Sequence, residues 1–104
     1  MAFFVFFCDN NLEIINRFPE AIKNNIEQYE HEINTTSSKI EFDSTKKLLK
    51  QIIKDISYLK YTDTQSLYFL GGLTLIYNNM YFKDNKTYMI DINDDHKLCP
   101  CETV

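Results

Sequence analysis

Five side chains in this 104-residue sequence could supply an imidazole or a thiolate: His31, His96, Cys8, Cys99 and Cys101. Thiolates and imidazoles suit zinc or copper, and an imidazole can serve as the base for a nucleophile. Cys99 and Cys101, with His96 three residues before the first, are close enough in sequence to share an ion. A structural zinc needs four ligands, and completing the set would require Cys8 or His31, which belong to other predicted elements. The expectation is therefore no stoichiometric metal and no cofactor. His31 lies in Glu30-His31-Glu32 near the end of a predicted helix, where carboxylates and the helix C-terminus favour an imidazole as a solvated surface group. The only two glycines, Gly71 and Gly72, are adjacent, so no glycine-rich phosphate loop exists. No residue set nominates a catalytic centre, and the sequence predicts a protein that is not an enzyme.

A second pattern runs from Asp91 to Glu102. Against an EF-hand loop, Asp91, Asn93 and Asp95 fall at positions one, three and five, Leu98 at the apolar eighth, and Glu102 at the bidentate twelfth. The sixth position needs glycine for a sharp turn and holds His96, and Pro100 interrupts the back of the loop. Only Thr103 and Val104 follow, too few for an exit helix. The stretch reads as a solvated acidic turn, with no calcium binding tighter than about millimolar.

Charge is more informative than any motif. The chain has a net charge of −4, but the charge is unevenly placed. Residues 1–42 hold seven acids against Arg17, Lys23 and Lys39, whereas residues 43–60 hold five lysines against Asp43 and Asp55. Glu13, Glu20 and Glu27 are spaced by seven, with Glu30 three beyond, which puts them along one side of a continuous helix. Asn16, Asn24 and Asn34 add neutral hydrogen-bonding groups to the polar side. Asp91, Asp94 and Asp95 form a second acidic group. These seven carboxylates, Glu13, Glu20, Glu27, Glu30, Asp91, Asp94 and Asp95, are the candidate partner-binding residues, because an acidic surface steers encounter with a basic one. Lys46, Lys50 and Lys54 lie four apart on another predicted helix. They lack interleaved exposed aromatics and belong to an acidic chain, so specific nucleic-acid binding is not expected.

The elements that must position these groups follow from apolar periodicity. Residues 2–8 form an aromatic and β-branched run, the pattern of a strand covered on both faces. The run is too short to span a bilayer and lacks a preceding basic residue, so it reads as a buried strand rather than a targeting segment. Ile15, Phe18, Ile22, Ile26, Tyr29 and Ile33 make one helical stripe. Pro19 places the main helical start near Phe18, with residues 12–17 as a kinked lead-in or an extra turn, and Thr35 to Ser38 end it. A second amphipathic helix is predicted over residues 44–60, capped by Asp43 or Ser44, with Leu48, Leu49, Ile52, Ile53, Ile56 and Leu59 on one side. Leu67 to Leu70 and Leu73 to Tyr77 flank Gly71-Gly72 and read as an antiparallel hairpin. The rival, a helix over residues 64–80, loses roughly 2 kcal/mol to the two glycines. Met80 to Phe82, a turn at Lys83-Asp84-Asn85, and Thr87 to Ile92 extend the meander, and residues 93–104 form an irregular tail. The predicted core joins Phe4, Phe6, Ile22, Ile26, Ile52, Ile56 and Leu75.

Length and a 44% apolar fraction fit one α+β domain spanning residues 1–104. Abundant Asn, Ile, Lys, Tyr and Phe mark AT-rich coding, as in low-GC bacteria, mobile elements, phages and large DNA viruses. An odd cysteine count without an export signal predicts a reducing, cytoplasmic setting. Small size, acidity and the lack of a catalytic set are shared, at the level of class only, with toxin-neutralising immunity proteins and phage or viral inhibitors of host factors. The expected function is thus a small inhibitor that occludes a basic protein partner, a toxin or effector of nuclease type, with no membrane partner. The alternatives are a calcium- or zinc-binding module on the tail, a non-catalytic subunit of a larger assembly, or a homodimer.

Overall fold

A computed structural model describes residues 9–89. Their elements run α1 (Asp9–Arg17), α2 (Glu20–Thr35), α3 (Lys39–Tyr58), α4 (Thr64–Asn79), β1 (Met80–Lys83) and β2 (Lys86–Met89). The coarse class, helices with an antiparallel sheet, matches expectation, but helix dominates. The predicted strand at residues 2–8, its core residues Phe4 and Phe6, the continuation of β2 past Met89 and the tail lie outside the described residues.

Pro19 separates α1 from α2. It occupies the cap position with φ −55° and ψ 152°, and its carbonyl accepts from the Ile22 and Lys23 amides at 3.0 and 3.1 Å. Proline lacks an amide to continue the preceding helix, so the chain turns here. The predicted lead-in is a nine-residue helix beginning at Asp9.

The second predicted helix starts a full turn earlier than residue 44. Ser38 caps α3 by accepting from the Glu41 amide at 3.2 Å, and Glu41 Oε1 accepts from the Ser37 amide at 2.9 Å. This Ser-x-x-Glu arrangement is close to a capping box. The added turn buries Phe42, and the buried stripe becomes Phe42, Thr45, Leu49, Ile52 and Ile56. Leu48 and Ile53 pack partly against the core, while Leu59 is exposed. Helix α3 ends with Lys60 at φ 58°, the left-handed position that usually follows a helix.

The predicted hairpin across Gly71-Gly72 is instead the middle of α4. A two-residue hairpin turn needs positive φ, and neither glycine has it. Ser66, Phe69, Leu73 and Ile76, at helical spacing, are buried. Their burial, together with the Asp63 cap, offsets the helical cost of two glycines. The same rotation turns Leu75 outward, 41% exposed, so it leaves the predicted core.

The hairpin in the described residues comes next, β1 against β2 with Lys83 opposite Lys86. Its two loop residues, Asp84 and Asn85, have φ 53° and 63°. That pair of positive values is the signature of a type I′ turn, which matches strand twist. The turn predicted at Lys83-Asp84-Asn85 is therefore present. Tyr81 and Tyr88 stack across the ladder with centroids 5.5 Å apart.

Helix α3 is central: α2 and α4 pack against it, and α1 packs on α4. Ile22, Ile26, Ile52 and Ile56 are buried as the periodicity predicted, joined by Ile14, Ile15, Phe18, Tyr29 and Leu49. Tyr29 is buried, with its hydroxyl 3.8 Å from Met80 Sδ, and burial pushes its phenol well above the ordinary value. Phe18 meets Phe69 at 5.8 Å and Tyr61 at 5.7 Å, tying α1 to α4 and to the α3–α4 connection.

Candidate functional site

Helix α2 turns Ile22, Ile26 and Tyr29 inward, so Glu20 and Glu27, two turns apart, project on the opposite side. Both are exposed, and among the described residues neither has a hydrogen-bond or ion-pair partner. Glu30 is half-buried at the edge of this face. Lys23 lies one turn before Glu27 on the same side, so a positive charge interrupts the stripe. Glu13 is exposed on α1, but the break at Pro19 removes it from the register of α2. Helical spacing thus joins Glu20 and Glu27 but not Glu13. Asp91, Asp94 and Asp95 lie outside the described residues, as do His96, Cys8, Cys99, Cys101 and Glu102.

Toward its C-terminal end the α2 face becomes concave. Glu27, Glu30, His31 and Asn34 line a depression of about 300 Å³. His31 also borders a groove of about 470 Å³ running to the start of α3, with Glu32, Thr36, Ile40 and Thr45 among its walls. The carboxylates in this groove have internal partners. Glu32 accepts from Gln28 Nε2 at 2.7 Å and from the Thr45 hydroxyl at 3.2 Å, and Glu41 is held by Ser37. Ile40 is 83% exposed at the groove edge, a fully presented apolar side chain beside charged ones. No group of three His, Cys, Asp or Glu side chains among the described residues could hold a metal.

The lysine row of α3 is not uniform. Lys46 lies over the rings of Tyr77 at 5.0 Å and Phe42 at 5.9 Å, cation–π contacts that hold it against the fold. Lys39 pairs with Asp43 at 2.7 Å. Lys50 and Lys54 remain exposed.

A clasp between helices has the one strongly displaced carboxylate among the described residues. Asp63 Oδ2 accepts from the Ser66 amide at 2.9 Å and from Arg17 Nη2 at 3.1 Å. The Ser66 amide, then the Ser66 hydroxyl and the Arg17 guanidinium, lower its pKa to about 2. This is cap chemistry serving the fold.

Sequence reasoning missed the outward face of α4. Leu67, Tyr68, Gly71, Thr74 and Leu75 are among the residues lining an open, mostly apolar depression of about 640 Å³. Leu67 and Tyr68 are 51% and 54% exposed. The signal was present: no charged residue occurs from Thr64 to Asn79. No helix among the described residues is long and apolar enough to cross a membrane. Comparison of the chain with protein-family models, with curated proteins and with solved structures found no match.

Proposed function

We propose that this chain is a non-catalytic protein-binding inhibitor that meets a basic partner through the outward face of α2. The observation that carries this reading is the pair Glu20 and Glu27, exposed and without partners among the described residues. Carboxylates without a hydrogen-bond or ion-pair partner remain available to steer a basic surface. A charged rim gives encounter rate more than residence, so tight binding also needs an apolar anchor. Ile40 fits that role, since it stands exposed on the groove that His31 shares with the acidic face. The partner class is a toxin or effector whose nucleic-acid groove is basic. The chain would act by covering that groove, in the manner of immunity proteins and phage or viral host-factor inhibitors.

The test is capture of the partner from the native host, followed by association kinetics at two salt concentrations. Because the screening length falls from about 10 Å at 0.1 M to about 3 Å at 1 M, association should slow as salt rises. The double variant Glu20→Lys/Glu27→Lys should lower the on-rate, and Ile40→Ala should raise the off-rate. A neutral or acidic partner whose binding ignores both salt and charge reversal would overturn the reading.

A further inference from the structure

We propose that the outward face of α4 is a self-association surface, on which two copies of the chain pack α4 against α4 across a two-fold axis at Gly71. Four observations carry this. First, Gly71 lies opposite the buried stripe of Ser66, Phe69, Leu73 and Ile76, at the centre of the outward face. Second, nothing among the described residues requires it: a Cβ there would meet none of them within 4 Å, and its φ is not positive. A helix-interior glycine costs stability against alanine, and on this outward face it allows a second backbone to approach closely.

Third, the row through Gly71 reads the same in both directions. Leu67 stands four residues before it and Leu75 four after, both exposed. In a two-fold contact residue i meets j while j meets i, so antiparallel α4 helices crossing at Gly71 bring Leu67 of each copy to Leu75 of the other. A row at intervals of four is also the ridge used in the commonest helix-packing class. Fourth, charge selects the occupant. Copies with net charge −4 repel one another, and α4 is a described helix without a charged residue. A basic partner would find nothing to pair with there. The half-exposed Leu67, Tyr68 and Leu75 offer less area than the roughly 800 Å² per partner of a standard interface, so the dimer is weak and reversible.

The test is sedimentation equilibrium on the full chain from about 10 μM to about 1 mM. The apparent mass should rise from 12.4 kDa toward twice that value. Gly71→Leu and Leu75→Glu should each weaken association at least about tenfold, while their dilute melting temperatures stay at or above that of the parent. Glu20→Lys/Glu27→Lys, which removes the net repulsion between copies, should associate at least as strongly as the parent does. A parent that stays monomeric at the highest concentration overturns the proposal, as do variants that associate unchanged. So does a monomeric parent whose Leu75→Glu variant melts lower, because that face would then be covered within the chain.

Discussion

Helices α2 and α4 are each sixteen residues long, and each lays one stripe of side chains on the same core. Their outward faces are opposite in character. Helix α2 carries four glutamates and one lysine, and α4 carries no charge at all. Burial of one stripe is therefore enough to hold a helix here, and the remaining face is free to differ. On α2 that face is a wet, acidic surface, the one proposed above to meet a basic partner. On α4 it is neutral and apolar, suited to a contact that excludes water.

The strongest way to break this comparison is through the inner stripes. Ile26→Ala in α2 and Ile76→Ala in α4 should each cost about 2 to 5 kcal/mol in denaturant unfolding, as large-to-small core changes do. Leu75→Ala, on the outward face, should stay within about 0.5 kcal/mol at low concentration. If Leu75→Ala costs as much as Ile76→Ala, the two faces of α4 have been misassigned.

The cap of α4 comes next. Asp63→Ala removes the acceptor for the Ser66 amide and the tie to Arg17, and should lower the melting temperature. Asp63 also gives a pH signature. Its folded pKa of about 2 lies below the ordinary aspartate range, so its contribution is complete above about pH 4 and fades as pH falls toward 2. Asp63→Asn keeps a capping oxygen but not the charge. The melting-temperature gap between the parent and Asp63→Asn should close across that acid window.

Backbone substitutions then sharpen the contrast. Gly71→Ala should stabilise the dilute monomer by about 0.8 to 1 kcal/mol, because alanine is the better helix former and space for its Cβ is open. Lys60→Gly should add about 0.5 to 1 kcal/mol by relieving a left-handed non-glycine residue after α3. The smallest stability effect belongs to Glu20→Lys/Glu27→Lys, within about 0.5 kcal/mol per site, so any loss of binding in that variant is not a loss of fold.

The same contrast explains what the sequence disclosed. Ile22, Ile26 and Tyr29 stand out because charged residues frame them on α2. The period of α3 was readable from Leu49 onward. Its first turn was hidden because Thr45, a polar residue, takes a core position and Phe42 sits between Glu41 and Asp43, although Ser38 and Glu41 already marked the start. Helix α4 was misread because apolar residues surround its axis, leaving no polar face to reveal the period, and Gly71-Gly72 then resembled a turn. The turn at Asp84-Asn85 was legible because those residue types tolerate positive φ. Of the acidic face, the seven-residue spacing correctly joined Glu20 to Glu27. It failed for Glu13, because Pro19 resets the helix, and it left out Lys23, which lies within the stripe.

The most direct test measures one on-rate in three proteins. With the captured basic partner immobilised, the parent, Glu20→Lys/Glu27→Lys and Leu75→Glu are compared at about 0.1 M and about 1 M salt. The parent and Leu75→Glu should associate at matching, salt-sensitive rates, while the α2 variant should be slow and lose most of its salt dependence. Equal rates for the parent and the α2 variant at low salt, or a slow rate confined to Leu75→Glu, would contradict this.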